Sequence, residues 1–212
     1  MEMKNLIYLI IFTLLIGCSS TKLVNSWKNP EIQKFEPQKL LVVGMTQNLS
    51  ARDQFEQSLK EELTLRGINT IKSLETFNPE FTHSKKTEED IQQVVKMLKE
   101  KGFDAVLVTA LKGIENKAIT HREYYDLNYH VGRFRNYYFI YQDIYYHPRY
   151  YDEYKVYHLE TSLYNITSDT ERTLIWTGYI DLIDPSKLDK TIKDYVSQVI
   201  NGLEKDLLIT ER

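Results

Sequence analysis

The chain has 212 residues, of which 42% are hydrophobic, and a formal net charge of -3. This length is enough for one well-packed domain. The near-neutral charge argues against a nucleic-acid binder, which needs an excess of Lys and Arg to displace counterions. Cys18 is the only cysteine, so a single copy cannot form a disulfide.

The first segment of the chain has the pattern of an export signal. Lys4 lies in a short polar head, residues 6–16 carry no charge, and Leu15-Ile16-Gly17-Cys18 ends the segment. The pattern predicts a signal peptide over residues 1–17, because the apolar stretch is too short to cross a bilayer of ~30 Å as a helix. The Leu-Ile-Gly-Cys ending resembles the lipobox of bacterial lipoproteins, which implies cleavage before Cys18 and lipidation of Cys18. The alternative is an ordinary secretory signal followed by a free thiol.

Residues 18–38 are interpreted as a lipidated tether and lead-in, with Trp27 docking on the domain. A single domain then covers residues 39–208. Its first half predicts strand, helix, strand, helix and strand from continuous apolar runs and helical spacing. The three strands are predicted over residues 39–46, 68–74 and 104–111. The first helix is expected to be capped by Ser50 and to bury Phe55, Leu59 and Leu63 on one face. The second is expected to begin with a capping box from Thr87 to Asp90 and to bury Ile91, Val94, Val95 and Leu98.

A tyrosine-rich insertion, residues 113–154, interrupts this pattern. The stretch from Tyr124 to Tyr157 contains 12 of the 16 tyrosines. Two strands follow, over 155–166 and 173–183, with a turn between them that predicts a hairpin. Asp184-Pro185 predicts the start of the last helix. Its buried stripe is expected to consist of Leu188, Ile192, Tyr195, Val199, Leu203 and Leu207.

The order of these elements predicts an α/β fold. Its core is expected to be a three-stranded parallel βαβαβ unit, since buried strands alternate with amphipathic helices. An antiparallel hairpin and a C-terminal helix extend that core.

Several short motifs resemble a domain-of-unknown-function family of bacterial outer-membrane lipoproteins. They are Ser26-Trp27-Lys28-Asn29-Pro30, Leu40-Leu41-Val42-Val43-Gly44, Arg52 with Phe55-Glu56, Leu159-Glu160-Thr161-Ser162-Leu163-Tyr164 and Leu174-Ile175-Trp176. The order of elements is more distantly similar to the small α/β domains of the Tol-Pal translocation protein and the curli-secretion lipoprotein. The family has no established activity, so the resemblance implies no catalytic residues.

The sequence carries none of the common catalytic or phosphate-binding motifs. His121, Glu123, His130, His147 and His158 are separated by distances that match no metal-ligand motif. We therefore predict no catalytic residues, no metal and no cofactor. Glu160 is the carboxylate of most interest, because it lies in the middle of a strand, where a charge needs an open face or a partner.

The tyrosine-rich insertion has two main interpretations: a long hairpin that covers the sheet, or a binding surface for a protein or a glycan. Tyrosine presents an apolar ring with a polar tip, and Tyr and Arg dominate many protein interfaces. The candidate binding surface consists of Tyr137, Tyr138, Tyr141, Tyr145, Tyr146, Tyr150, Tyr151, Arg133, Arg135 and Arg149. Contact of this segment with a membrane is a third interpretation.

These features predict a lipid-anchored, non-enzymatic binding or assembly module of the cell envelope. Its partners are the membrane, through lipid on Cys18, and an envelope protein or glycan, with no nucleic acid. Ser19 after the cysteine, rather than aspartate, predicts an outer-membrane lipoprotein that faces the periplasm, with the cell surface as the alternative. The competing function is an enzyme that acts on envelope glycans with carboxylates near the tyrosine-rich insertion.

Overall fold

The computed structural model describes residues 21–78, 81, 84–116, 134–135, 138, 155–167, 173–183, 185 and 187–210. These residues form a mixed α/β fold with one six-stranded sheet. The strands are β1 (Thr21–Lys28), β2 (Leu40–Gly44), β3 (Thr70–Lys72), β4 (Ala105–Asn116), β5 (Lys155–Asn165) and β6 (Leu174–Ile183). The helices are α1 (Leu49–Thr64), α2 (Ser73–Thr76), α3 (Glu88–Glu100) and α4 (Leu188–Lys205). The predicted α/β class is therefore confirmed.

The sheet is partly parallel and has the strand order β1-β6-β5-β4-β2-β3. Strand β2 is parallel to both β3 and β4. The pairs β4–β5, β5–β6 and β1–β6 are antiparallel. Strands β5 and β6, which follow the tyrosine-rich insertion, therefore extend the sheet from β4. Strand β1 pairs with β6 and forms the outer edge of the sheet.

Helices cover both faces of the sheet, and each face has its own apolar core. On one face α1 and α4 pack over the sheet, with Leu59, Trp176 and Val199 among the residues of this core. On the other face Ile91 and Leu98 of α3 pack over Leu41 and Val106. Burial on both faces explains why β2 is apolar along its whole length instead of alternating.

The starts and ends of the helices follow capping rules that the sequence shows only in part. Thr87 and Asp90 form the predicted capping box, with both side chains accepting from the backbone N–H of the other residue. Hydrogen bonds from the Thr87 backbone and side chain to the Asp90 carboxyl lower its pKa. Helix α1, however, is capped by Asn48 and not by Ser50, because the Asn48 side chain accepts a 3.0 Å bond from Ala51 N–H.

The last helix differs from the prediction at both of its ends. It begins at Leu188, after Lys187, so the prediction that Asp184-Pro185 begins it is wrong. Leu188 is 44% exposed and Leu207 is 79% exposed, although both were expected in the buried stripe. The helix has ended before Leu207, whose positive φ of 57° turns the chain so that Leu208 packs into the core instead.

The sheet contains more of the chain than the sequence predicted. Residues 21–28, interpreted as part of a lead-in, form edge strand β1 along β6. Strand β4 continues to Asn116, so residues 113–116 of the predicted insertion belong to the sheet. Strand β3, in contrast, covers only Thr70–Lys72, because the chain turns into α2 at Ser73. The segment that each strand pairs with in three dimensions decides where the strand begins and ends. That partner lies elsewhere in the chain, so the local sequence cannot show these boundaries.

Candidate functional site

The N-terminal end of β1 lies at the end of the sheet where the tyrosine-rich insertion is connected. Thr21 pairs with Leu182 of β6, and Asn116 pairs with Lys155 across β4 and β5. The chain therefore leaves the sheet at Asn116 and returns at Lys155 at the same end at which β1 begins. We call this end of the sheet, formed by Thr21, Asn116, Lys155, Val156 and Ile183, the Thr21 edge.

Cys18, the predicted lipidation site, lies outside the described residues. Only Ser19 and Ser20 separate it from Thr21. A three-residue step spans at most ~10 Å even when fully extended. The sequence predicted a tether and lead-in over residues 18–38, but residues 21–28 belong to the sheet as β1, so a lipid on Cys18 would hold the domain close to the membrane.

Most of the predicted binding surface also lies outside the described residues. This applies to Tyr137, Tyr141, Tyr145, Tyr146, Tyr150, Tyr151, Arg133 and Arg149, and to His121, Glu123, His130 and His147. Their role stays a prediction.

Tyr138 and Arg135 are the two described members of the predicted surface, and both contact the domain. Tyr138 is only 3% exposed, and its ring lies 6.1 Å from that of Phe134, centroid to centroid. Arg135 Nη2 is 3.4 Å from Glu88 Oε2, and its Nη1 donates to Gln92 Oε1 on α3. These two side chains therefore take part in packing against the core and α3.

Glu160 is buried and paired on the face of the sheet that α3 covers. Its Oε2 is 3.1 Å from Lys112 Nζ, and its Oε1 accepts a 3.1 Å bond from Ser162 Oγ. Ser162 Oγ also shares a 2.9 Å bond with Thr177 Oγ1. Only 4% of Glu160 is exposed, so the carboxylate is engaged by neighbouring side chains rather than open to solvent.

His158 stands next to Glu160 on the same face of β5, closer to the Thr21 edge. Its Nδ1 is 2.7 Å from Asp181 Oδ1, and its Nε2 is 3.8 Å from Glu115 Oε2. The hydrogen bond with Asp181 raises the pKa of His158, with further help from the charges of Asp181 and Glu115. Within the described ranges, no group of three His, Cys, Asp or Glu side chains is arranged to hold a metal ion.

Arg52 and Glu56, two residues of the family-like motifs, form a buried cluster with Ser73. Arg52 Nε donates to Glu56 Oε1 at 3.0 Å, and Arg52 Nη2 donates to Ser73 Oγ at 2.6 Å. Glu56 also accepts bonds from the Ser73 hydroxyl and from the backbone N–H groups of Gly44 and Leu74. The hydrogen bonds of this cluster connect α1 to the ends of β2 and β3, so its role is structural.

The motifs around Trp27 and Trp176 meet at the C-terminal end of α4. Trp176 Nε1 donates to Asp206 Oδ2 at 2.7 Å, and Ser26 Oγ donates to the same oxygen at 3.0 Å. Lys28 Nζ donates to the Asp206 carbonyl, and Asn29 Nδ2 donates to the Leu174 carbonyl. These contacts join β1, β6 and α4, so the residues of these motifs serve packing.

A further surface feature lies where α4 begins, five residues after the end of β6 at the Thr21 edge. Lys187, Leu188, Lys190 and Lys193 are all exposed there, and with Asp189 they line an open hollow. We call these four residues the α4 basic patch. The sequence interpretation missed it, although lysines at three-residue intervals were a visible signal of one helix side.

None of the described side chains forms an arrangement typical of nucleophilic or metal-dependent catalysis. The negative charges of Glu160 and Glu56 are each balanced by a neighbouring cation. No helix among the described residues combines the length and the apolar character needed to cross a bilayer.

Comparisons with known proteins give weak similarities of fold. No protein-family model matches the chain, and no curated protein matches it. Among solved structures, a PelC dodecamer from Paraburkholderia phytofirmans aligns with a TM-score of 0.46 and 11% identity, over 86% of this chain and 96% of that chain. Lipoprotein GNA1162 from Neisseria meningitidis aligns with a TM-score of 0.41 and 14% identity, over 80% of this chain and 99% of that chain.

Proposed function

We propose that the protein is a lipid-anchored module of the cell envelope that binds or assembles with a partner and catalyses no reaction. The anchor is lipid on Cys18, and the protein is an outer-membrane lipoprotein that faces the periplasm. The observation that carries the proposal is the short distance along the chain between Cys18 and the folded sheet, which begins at Thr21. A domain held this closely is fixed at a membrane rather than free to diffuse.

The arrangement of the buried charges supports a binding function over catalysis. A general acid or base must reach the proton that it transfers. Glu160, one of the carboxylates that the competing hypothesis would use, is instead buried against Lys112 and Ser162. The partner surface that we propose is the part of the tyrosine-rich insertion that includes Tyr145, Tyr146 and Arg149.

One experiment tests both the anchor and the partner surface. A photo-crosslinking residue replaces Tyr145 in cells grown with labelled palmitate, and the same replacement is made in a Cys18→Ala background. We expect label on the protein and a crosslinked envelope partner when Cys18 is present. The Cys18→Ala variant should lose the label and leave the membrane fraction, whereas a Ser20→Ala control should keep both.

The position of the crosslinker also separates the alternatives. The same residue at Tyr138 should capture nothing, because that ring is buried. Deleting the whole insertion is a poorer test, since it would also remove Phe134 and Tyr138 from the core. Absence of palmitate from the wild-type protein would contradict the anchor. Capture of a glycan, together with release of sugar fragments by the purified protein, would support the enzyme instead.

A further inference from the structure

We propose that the Thr21 edge faces the membrane and that the α4 basic patch contacts anionic phospholipid headgroups there. This inference rests on the proposed lipid anchor at Cys18. It adds an orientation of the domain and a second contact with the lipid surface, made by described side chains of α4.

The first argument is the reach of the chain. A lipidated cysteine lies at the membrane surface, and Thr21 follows it by three residues. Since that step covers at most ~10 Å, Thr21 is held within ~10 Å of the headgroups, a distance comparable to the Debye length of ~8 Å at physiological salt. The domain cannot turn its opposite end, where β4 begins at Ala105, toward the bilayer without unpairing Thr21 from Leu182.

The second argument is the composition of the surface that this orientation turns toward the lipid. The hollow at the start of α4 is lined by three lysines, one aspartate and Leu188, so its local charge is positive although the chain is net negative. Leu188, which lines the same hollow, is 44% exposed. Lysines beside an exposed apolar side chain offer both kinds of contact, electrostatic and apolar, by which helices bind anionic membrane surfaces.

Electrostatics favours an anionic lipid as the occupant of this surface. A lysine near an anionic leaflet contributes ~1 kcal/mol, and that contribution falls off within a Debye length. Lys187, Lys190 and Lys193 are three such groups on an anchored domain, so they need no affinity of their own to reach the headgroups. Their contribution is to fix which side of the domain faces the lipid.

The test uses the lipidated protein in vesicles of phosphatidylcholine and phosphatidylglycerol. Cys18 is the only native cysteine, so Leu188→Cys and Lys101→Cys each introduce one site for a fluorophore. Lys101 is exposed near the start of β4, at the opposite end of the sheet. We expect headgroup-quencher lipids to quench the label at position 188 several-fold more than the label at position 101.

A charge-reversal series tests the role of the lysines. Lys187→Glu, Lys190→Glu and Lys193→Glu together should lower quenching at position 188 in anionic vesicles to its level in phosphatidylcholine alone. The matched control, Lys96→Glu, Lys99→Glu and Lys101→Glu, makes the same change in net charge at the far end of α3 and should leave quenching unchanged. Equal effects of the two triple variants would overturn the headgroup contact.

The outcomes separate this inference from the proposed function. Failure of the wild-type protein to float with vesicles would contradict the anchor itself. Flotation with equal quenching at positions 188 and 101 would leave the anchor standing and overturn the orientation. A patch covered by a second copy or by a protein partner would shield the label at position 188 from the quencher, which also contradicts the proposal.

Discussion

A buried carboxylate is stable in this protein because donors surround it on every side. Glu56 accepts bonds from Arg52, Ser73 and two backbone N–H groups, and neither Arg52 nor Glu56 is exposed by more than 1%. Removing one partner from such a pair leaves the other charge buried without compensation. The cluster is therefore sensitive to changes that keep its shape and lose its charge.

We expect Glu56→Gln to lower the free energy of unfolding by about 3 kcal/mol, because the Arg52 charge remains buried. Urea denaturation of the purified protein measures this. Glu75→Gln is the matched control, since Glu75 pairs with Lys60 on the surface, with side chains 40% and 28% exposed. That change should cost less than ~0.5 kcal/mol. Equal losses in the two variants would contradict the structural role of the cluster.

His158 makes stability depend on pH in a direction that the structure defines. Its pKa is raised in the folded protein by the bond to Asp181, so folding favours the protonated imidazole. The stabilisation is fully present below the unfolded pKa of ~6.5 and is lost as the pH rises through the folded pKa. Because the ring is 41% exposed, solvent screens the interaction and limits it to less than ~1 kcal/mol.

We therefore expect His158→Gln to destabilise the protein at pH ~5.5 and to have a smaller effect at pH ~8.5, because the stabilisation is lost as the pH rises through the raised pKa of His158. Urea titrations of both proteins at the two pH values measure the difference. Asp181→Asn should weaken the same pH dependence, because it removes the main cause of the raised pKa. A loss of equal size at both pH values would show that packing, and not charge, is what His158 contributes.

At the scale of the elements, the close approach of α4 and β6 depends on two glycines. A Cβ on Gly178 would lie 2.4 Å from Trp176 Cη2, and a Cβ on Gly202 would lie 2.8 Å from Trp176 Cζ2. Trp176 is fully buried and is held by Asp206, so it has little room to move. Helix α4 can pack this close to β6 only because neither glycine carries a side chain.

We expect Gly202→Ala to destabilise the protein even though alanine favours helix by about 1 kcal/mol over glycine. Overpacking in a filled core costs about 1–3 kcal/mol, so the clash with Trp176 should exceed the gain in propensity. Thermal denaturation compares this variant with Ser197→Ala, on the exposed side of the same helix. A Gly202→Ala protein that is more stable than the wild type would show that Trp176 can shift freely.

At the scale of the whole molecule, the fold relates the proposed anchor, the tyrosine-rich insertion and α4 to one end of the sheet. Thr21, Asn116, Lys155 and Ile183 share that end through the pairing of four antiparallel strands. The orientation that we infer therefore places the chain connections at 116 and 155 on the membrane side of the domain. This arrangement follows from strand register and from the two residues between Cys18 and β1.

The sequence alone was sufficient for the α/β class and for the buried faces of α1 and α3, and the export signal at Cys18 stays a prediction. Continuous apolar runs and helical spacing are local signals, and they predict elements whose burial does not depend on which neighbour covers them. The capping box at Thr87 was predictable for the same reason, since both of its partners lie within four residues.

Only the tertiary structure decided that residues 21–28 form an edge strand and that Lys112 pairs with Glu160. Each of these outcomes depends on a partner far away in the sequence: β6 for β1, and β4 for Glu160. Strand pairing and side-chain contact are set by register in three dimensions. A polar strand such as Thr21–Lys28 has no apolar pattern from which it could be predicted.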